Sequence, residues 1–219
     1  AYFGQIDLGN IDFVFKECGL ADSEFNKTGL DNVDFTGSAE RNTVLRNATF
    51  RVEELKDTTF KNVQLNNATI TAVQPENSIL LEVSFDQSTL TDTVFEQVQL
   101  VDCDFPDTTL DSTTFEQISQ EGSTFGGATL SNVSINGGQV AGVDFQQVNE
   151  FRQVEFLSAT VEACSFAGVV DRQGGTSFEG STIVCSSFRG GEFPQLHCND
   201  TTAINTTLHD TQLDGANFA

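Results

Sequence analysis

Two histidines, five cysteines and 32 acidic residues are the groups in this 219-residue chain that could do chemistry. His197 and His209 could hold a metal or move a proton. The thiols could pair, ligate or attack an electrophile, and paired carboxylates could serve as acid and base. Their spacing supports none of these roles. There is no C-x-x-C, no Ser/His/Asp set and no glycine-rich phosphate loop in a usable context. A formal charge of −22 argues against direct contact with nucleic acid or anionic membrane surfaces. No run of 18 apolar residues offers a membrane-spanning helix. The expectation is a protein that is not an enzyme, with no cofactor, metal or small-molecule ligand, whose partners are other proteins. Six N-x-[ST] sequons, from Asn26 to Asn205, are what a chain rich in Thr and Ser yields by chance.

The charges are unevenly placed. Arg41, Arg46, Arg51, Lys56 and Lys61 recur every fifth residue, and residues 62–151 then contain no Lys or Arg but thirteen carboxylates. These include Glu76, Glu96, Glu116, Asp102, Asp104 and Asp107.

What must position these groups is a second, stronger periodicity. A large apolar side chain falls on nearly every fifth residue: Leu20, Phe25, Leu30, Phe35, Leu45, Phe50, Leu55, Phe60, and onward to Phe145. Helices repeat at 3.6 and strands at 2, so a period of five belongs to neither. The residue two before each beat is small or β-branched, as at Thr43, Ala48, Thr58, Val63 and Cys103. Two inward positions on a three-residue extended segment, followed by a two-residue corner, can be buried only by stacking copies, which makes a solenoid.

The triplets Ile11-Asp12-Phe13, Val33-Asp34-Phe35, Cys103-Asp104-Phe105, Val143-Asp144-Phe145 and Ala216-Asn217-Phe218 resemble the pentapeptide-repeat family, whose idealised unit is A-[DN]-L-x-x. The resemblance runs through essentially the whole chain. It implies an all-β, right-handed quadrilateral parallel β-helix, four units per coil and one per face, forming a single domain over 1–219. At 20 residues per coil the chain makes roughly 11 coils, a rod about 50 Å long. Register breaks are expected near 14, 150 and 167–176. Asp171, Arg172 and Gln173 lie in the last of these, a turn or small protruding loop. The polar beat residues Glu40, Gln120 and Glu150, and Glu53 at an inward i−2 position, are expected to turn outward on local bulges, because an unpaired carboxylate in so narrow a tube is costly.

Twenty-residue stacking then arranges the surface. The five cations form a girdle around one coil, with Lys61 over Arg41. Glu76, Glu96 and Glu116 stack on one face, and Thr49, Thr69, Thr89, Thr109 and Thr129 form a ladder suited to strand pairing. Ile79, Leu81 and Val101 make a small apolar strip, the candidate docking surface. His197 and His209 fall two faces apart. Cys18, Cys103, Cys164 and Cys198 point inward as small buried hydrophobes and Cys185 sits at a corner, with a Cys164–Cys185 bridge, roughly one coil apart, as the alternative. Thirteen carboxylates over roughly 4.5 coils give about one charge per 1.7 Å, the linear density of duplex DNA.

The expected function is a rigid acidic rod that docks to a larger assembly or associates end to end, since bare solenoid ends expose strand edges. The family's cyanobacterial and thylakoid-lumenal members, and a Met-free chain that begins at Ala1 and reads as a processed product or as the ordered part of a longer chain, point to a peripheral photosynthetic subunit in the lumen. The alternative, implied by the quinolone-resistance members of the family, is a cytoplasmic DNA mimic acting on a type II topoisomerase.

Overall fold

The computed structural model describes residues 2–4, 13–31, 33–38, 40–74 and 78–218. Among these every regular element is a short β-strand, mostly of three residues, and every pairing is parallel. The beat residue and the residue two before it face inward. The residues on either side of the beat face outward, and the residue two after it turns the corner in the left-handed region, as at Asp92 (φ 52°), Asp102 (φ 50°) and Asp107 (φ 50°). Asp, Asn, Ser and Gly tolerate that conformation best, which explains the polar corners of the repeat.

Four faces result. The first stacks Phe25, Phe50, Ile70, Phe95, Phe115, Ile135 and Phe156. The second stacks Leu55, Leu80, Leu100, Gln120, Val140 and Val161. The third is an unbroken column of phenylalanines from Phe15 to Phe188, with successive rings 4.7–5.2 Å apart and nearly parallel. The fourth carries Leu90, Leu110, Leu130 and Phe151. The Leu/Phe alternation of the sequence is therefore a rule about opposite faces. Rings of the first and third faces meet edge-on across the tube, 5.4–6.4 Å apart at 79–89°. Each buried ring contributes about 1.5–3 kcal/mol by leaving water, and edge-on pairing adds to that.

The inward i−2 position has a second duty. The hydroxyls of Thr93, Thr108 and Thr113 donate to the carbonyls of Leu65, Phe85 and Leu90 at 2.6–2.7 Å. Ser181, Thr201 and Thr211 repeat the contact toward Phe156, Phe178 and Phe188 at 2.6–2.7 Å. The carbonyls of Leu65, Phe85, Phe178 and Phe188 also accept the N–H of the residue three on, so Ser or Thr at i−2 adds a second donor to a buried acceptor and satisfies its own hydroxyl. Cys103 and Cys164 fill the same role with their thiols, 3.3 Å from the carbonyls of Leu80 and Val140.

The coils are not of uniform length, and the chain makes slightly fewer of them than 20 residues per coil gives. Thr49 pairs with Thr69, but Glu24 pairs with Thr49 and Thr69 with Val94, steps of 25 residues. The first long coil sets Ser38 and 40–42 off the wall between Gly37 and Thr43, and the second contains 75–77, which lie outside the described residues. Glu40 lies outward in the first of these, as expected. Gly37 closes the neck of that loop; a Cβ there would meet the Asn62 carbonyl at 2.4 Å. Pro75 itself lies outside the described residues, but Gln74 and Ser78 close their loop by a backbone bond of 3.0 Å.

The other breaks have different forms. Phe13 pairs with Val33, an i−2 residue, so the first beat of the main register is Phe15 and the surplus falls before Phe13, not near 14. Residues 5–12 are outside the described residues. The break near 150 is present as a bulge: the N–H groups of Asn149 and Glu150 both donate to the Ala128 carbonyl, Phe151 takes the beat, and Glu150 faces outward. Gln120 is the exception to the expectation of outward polar centres. It stays inward, 1% exposed, in the regular strand Ser119–Glu121, because its ladder partners Leu100 and Val140 hold it in phase. Glu53 lies in the strand Thr49–Lys56, its side chain outside the described set, and Val52 is buried in its neighbourhood.

Candidate functional site

Of the turn or small protruding loop expected at 167–176, the structure has the turn, a stitched corner. Asp171 occupies the beat place on the fourth face above Phe151 and is 1% exposed. Two surplus residues lie between it and Phe178. Its carboxylate absorbs them, accepting the N–H groups of Gln173 (3.3 Å), Gly174 (3.0 Å) and Thr176 (3.1 Å) and the Thr176 hydroxyl (2.6 Å). A buried carboxylate surrounded by donors is stable where an isolated one is not. Only Arg172 and Gln173 of the three sequence candidates face solvent.

Four of the five cations expected in a girdle lie around one coil. Arg46, Arg51, Lys56 and Lys61 follow the beats Leu45, Phe50, Leu55 and Phe60, one on each of the four faces. Arg41 sits in the looped-out segment, and Lys61 does not stack on it, because the first long coil sets 40–42 off the wall. Lys61 instead pairs with Asp86 in the next coil at 2.5 Å, where the girdle meets the acidic span.

The same long coils rephase two other columns. The threonine ladder divides: Thr49 and Thr69 are on the first face, whereas Thr89, Thr109 and Thr129 are on the fourth. In the acidic column Glu96 stacks on Thr71, with Glu116 and Asn136 above it. Glu76, expected beneath Glu96, lies outside the described residues, and Thr71 takes the place beneath Glu96. The Thr71 hydroxyl donates to Glu96 at 3.2 Å and the Asn136 amide to Glu116 at 3.4 Å, so the two like charges are flanked by donors at both ends. The apolar strip is as expected in register: Leu81 pairs with Val101, and Ile79 with Gln99. It is short, with Lys56 on one side and Glu121 on the other.

Among the described residues, the acid-only span keeps twelve carboxylates, all at least partly exposed and distributed over the four faces. Only Asp86 and Glu150 have a cationic partner among the described residues, Lys61 and Arg152. Asp102 and Asp107 take corner positions, and Asp104 lies on the third face, accepting the Thr124 hydroxyl at 2.6 Å.

The histidines stand on opposite faces: His197 pairs with Ser177 and Asn217 on the first, while His209 projects from the third beside Asp210 at 3.1 Å. All five cysteines are free, so Cys164 and Cys185 are not bridged. Burial pushes the Cys103 thiol up to about 12 and the Cys164 and Cys198 thiols up to about 11, which leaves them un-ionised and unreactive at neutral pH. Cys185 is exposed. Sequence reading missed the carbonyl-bonding role of the i−2 hydroxyls and the inward Asp171; the recurrence of Ser and Thr at i−2 was the available signal for the first.

Residues 68–145 match the family model for a pentapeptide repeat region. No curated protein matches the chain. Among solved structures, it is similar to QnrB1, a plasmid-mediated fluoroquinolone resistance protein, at 15% identity and TM-score 0.50, covering 94% of this chain and 91% of that one. It is also similar to HetL, a pentapeptide repeat protein involved in heterocyst differentiation regulation in the cyanobacterium Nostoc sp. strain PCC 7120. That match has 14% identity and TM-score 0.38, covering 90% and 88% of the two chains. Residues 68–145 are thus a pentapeptide repeat region, and the same five-residue beat and four-faced parallel coil continue on both sides of it.

Proposed function

We propose that the chain is a non-catalytic docking rod whose acid-only span seats in a basic groove of a protein partner. One observation carries this reading. Between Gln64 and Glu150 the fourth face rises by four coil steps, and the same span presents twelve described carboxylates. At ~4.8 Å per step that is about one charge per 1.6 Å, against about 1.7 Å along duplex DNA. A groove built to neutralise phosphates at that density is met by comparable charge on a rod that needs no counter-strand.

The likeness of QnrB1 in fold, together with this charge density, favours a type II topoisomerase as the partner over a lumenal photosynthetic complex, for which the geometry offers no observation of its own. A supercoiling assay with purified gyrase tests it. Micromolar protein should inhibit supercoiling or relieve fluoroquinolone poisoning, with an effect that weakens steeply as salt rises. Converting Glu96, Asp102, Asp107 and Glu116 to their amides should remove it. No effect of the unaltered protein at any salt sinks the topoisomerase reading, and capture of a different basic partner from native extract replaces it.

A further inference from the structure

The rod is convex almost everywhere, and a groove of about 270 Å³ on the third face breaks that surface, lined by Pro106, Thr124, Gly126, Asp144 and Gln147. We propose that this groove receives an arginine or lysine side chain of the basic protein partner; the proposal rests on the docking reading above and names its point of contact.

Gly126 contributes no side chain to the groove that it lines. Its backbone is not in the left-handed region, unlike that of Gly127 (φ 72°), and a Cβ placed on it would meet only the Gln147 Oε1, at 3.9 Å. Neither backbone nor space requires glycine there. Corresponding outward places in the wall hold Asp86, Pro106 and Gln146. The missing side chain leaves a gap floored by backbone and walled on one side by the Pro106 ring, a surface suited to the methylene stem of a long cationic side chain.

The charges that would hold its head are in place. Asp104, Thr124 and Asp144 follow one another up the adjacent column. Asp104 Oδ1 accepts the Thr124 hydroxyl at 2.6 Å and Asp144 Oδ1 accepts the Gln146 N–H at 2.9 Å, bonds that orient both carboxylates while engaging one oxygen of each. No Lys or Arg occurs from 62 to 151, so no cation of the span itself competes for them. A charge-assisted contact in a partly enclosed groove is stronger than one on an open face.

The test uses the full chain and a labelled hexa-arginine peptide at about 0.15 M salt. Affinity is read by anisotropy and the contact by amide shifts. Gly126→Gln fills the groove without changing charge and, with its Cβ in open space, should fold normally. Thr91→Gln on the fourth face is the control. The unaltered protein and the control should bind alike, with the largest shifts at Thr124, Gly126 and Gln147, and Gly126→Gln should weaken binding about tenfold. Equal affinity of Gly126→Gln and the unaltered protein, or shifts spread evenly to Glu96 and Glu121, overturns the groove and leaves the docking rod standing. Absence of binding by the unaltered protein overturns both.

Discussion

Residues 24–94 and residues 94–134 follow the same five-residue beat and build different coils from it. In the second region each coil uses four units: Val94, Thr114 and Ser134 are evenly spaced partners. In the first region two coils use five units. A whole unit inserted in a five-residue repeat leaves the beat unchanged, so periodicity cannot register it. It nevertheless moves every later residue to a different face relative to those before it. Columns that lie wholly after residue 79, such as Leu81 with Val101 and Glu96 with Glu116, were therefore legible from spacing alone. Columns that cross Glu40 or Pro75, such as the threonine ladder and Lys61 over Arg41, were not. The polar residue at each skipped beat was the visible mark, because neither Glu40 nor Pro75 suits the inside of the tube. Gln120 shows why that mark is insufficient: it is also polar at a beat, and it stays in.

If the long coils leave the core intact, the two regions should respond alike to loss of a ring. Phe60→Ala lies between Glu40 and Pro75 and Phe105→Ala in the regular region, and both rings are fully buried in the same column. Each substitution should cost about 3–5 kcal/mol, read by denaturant unfolding. A markedly smaller cost for Phe60→Ala would mean that the looped region does not transmit packing, and that the column is two cores.

The corner at Asp171 handles surplus residues by a third route, stitching them inside. Asp171→Ala removes the acceptor for three N–H groups and one hydroxyl, and should destabilise by about 2–4 kcal/mol. The corresponding removal in the looped region, Glu40→Ala, strips an exposed side chain and should change stability by less than about 0.5 kcal/mol. Equal effects would erase the distinction between a stitched and a looped surplus.

Alkaline titration distinguishes the same parts by chemistry. The raised thiols lie in the regular region and beyond it, at Cys103, Cys164 and Cys198. Their folded-state values exceed the ordinary value of 9.0, so the unfolded chain releases its protons first as pH rises. Stability contributed by the buried thiols is complete below pH 9 and is lost progressively toward pH 11–12. Unfolding midpoints measured from pH 8 to 11 should fall, and Cys103→Ser, which keeps a donor for the Leu80 carbonyl, should flatten the decline. At neutral pH, Cys185 should react with a disulfide reagent ahead of Cys103 and Cys164, the buried thiols remaining silent until the coil unfolds.

Gln120 and Ser123 mark the one place where the regular region pays for a polar residue. Both are 1% exposed, and Gln120 Nε2 and Ser123 Oγ have no hydrogen-bond partner. Gln120→Leu restores the apolar ladder between Leu100 and Val140 and should stabilise by about 1–2 kcal/mol. A loss of stability on that change would mean that the amide is satisfied in solution by an internal water.

The smallest effect is the most discriminating. Removing 38–42 joins Gly37, two after Phe35 and free as a glycine to take the left-handed corner conformation it does not now hold, to Thr43, which already stands at the inward place before Leu45. The shortened chain then runs Phe35 to Leu45 as one ordinary unit, with every pairing above and below unchanged. Shorter connections cost less entropy to close, so stability should stay within about 0.6 kcal/mol of the starting value. Removing five residues from the regular region, 111–115, preserves the beat equally well but shifts all later faces by one. Phenylalanine columns would then meet leucine columns at the seam, and the Leu110–Leu130 and Phe115–Ile135 registers would be lost. Deletions of the same length, invisible to the same periodicity, should therefore differ by the cost of repacking a coil, about 3 kcal/mol or more. If both are tolerated, any five residues are interchangeable as wall, and the assignment of faces that underlies the docking surface fails with that result.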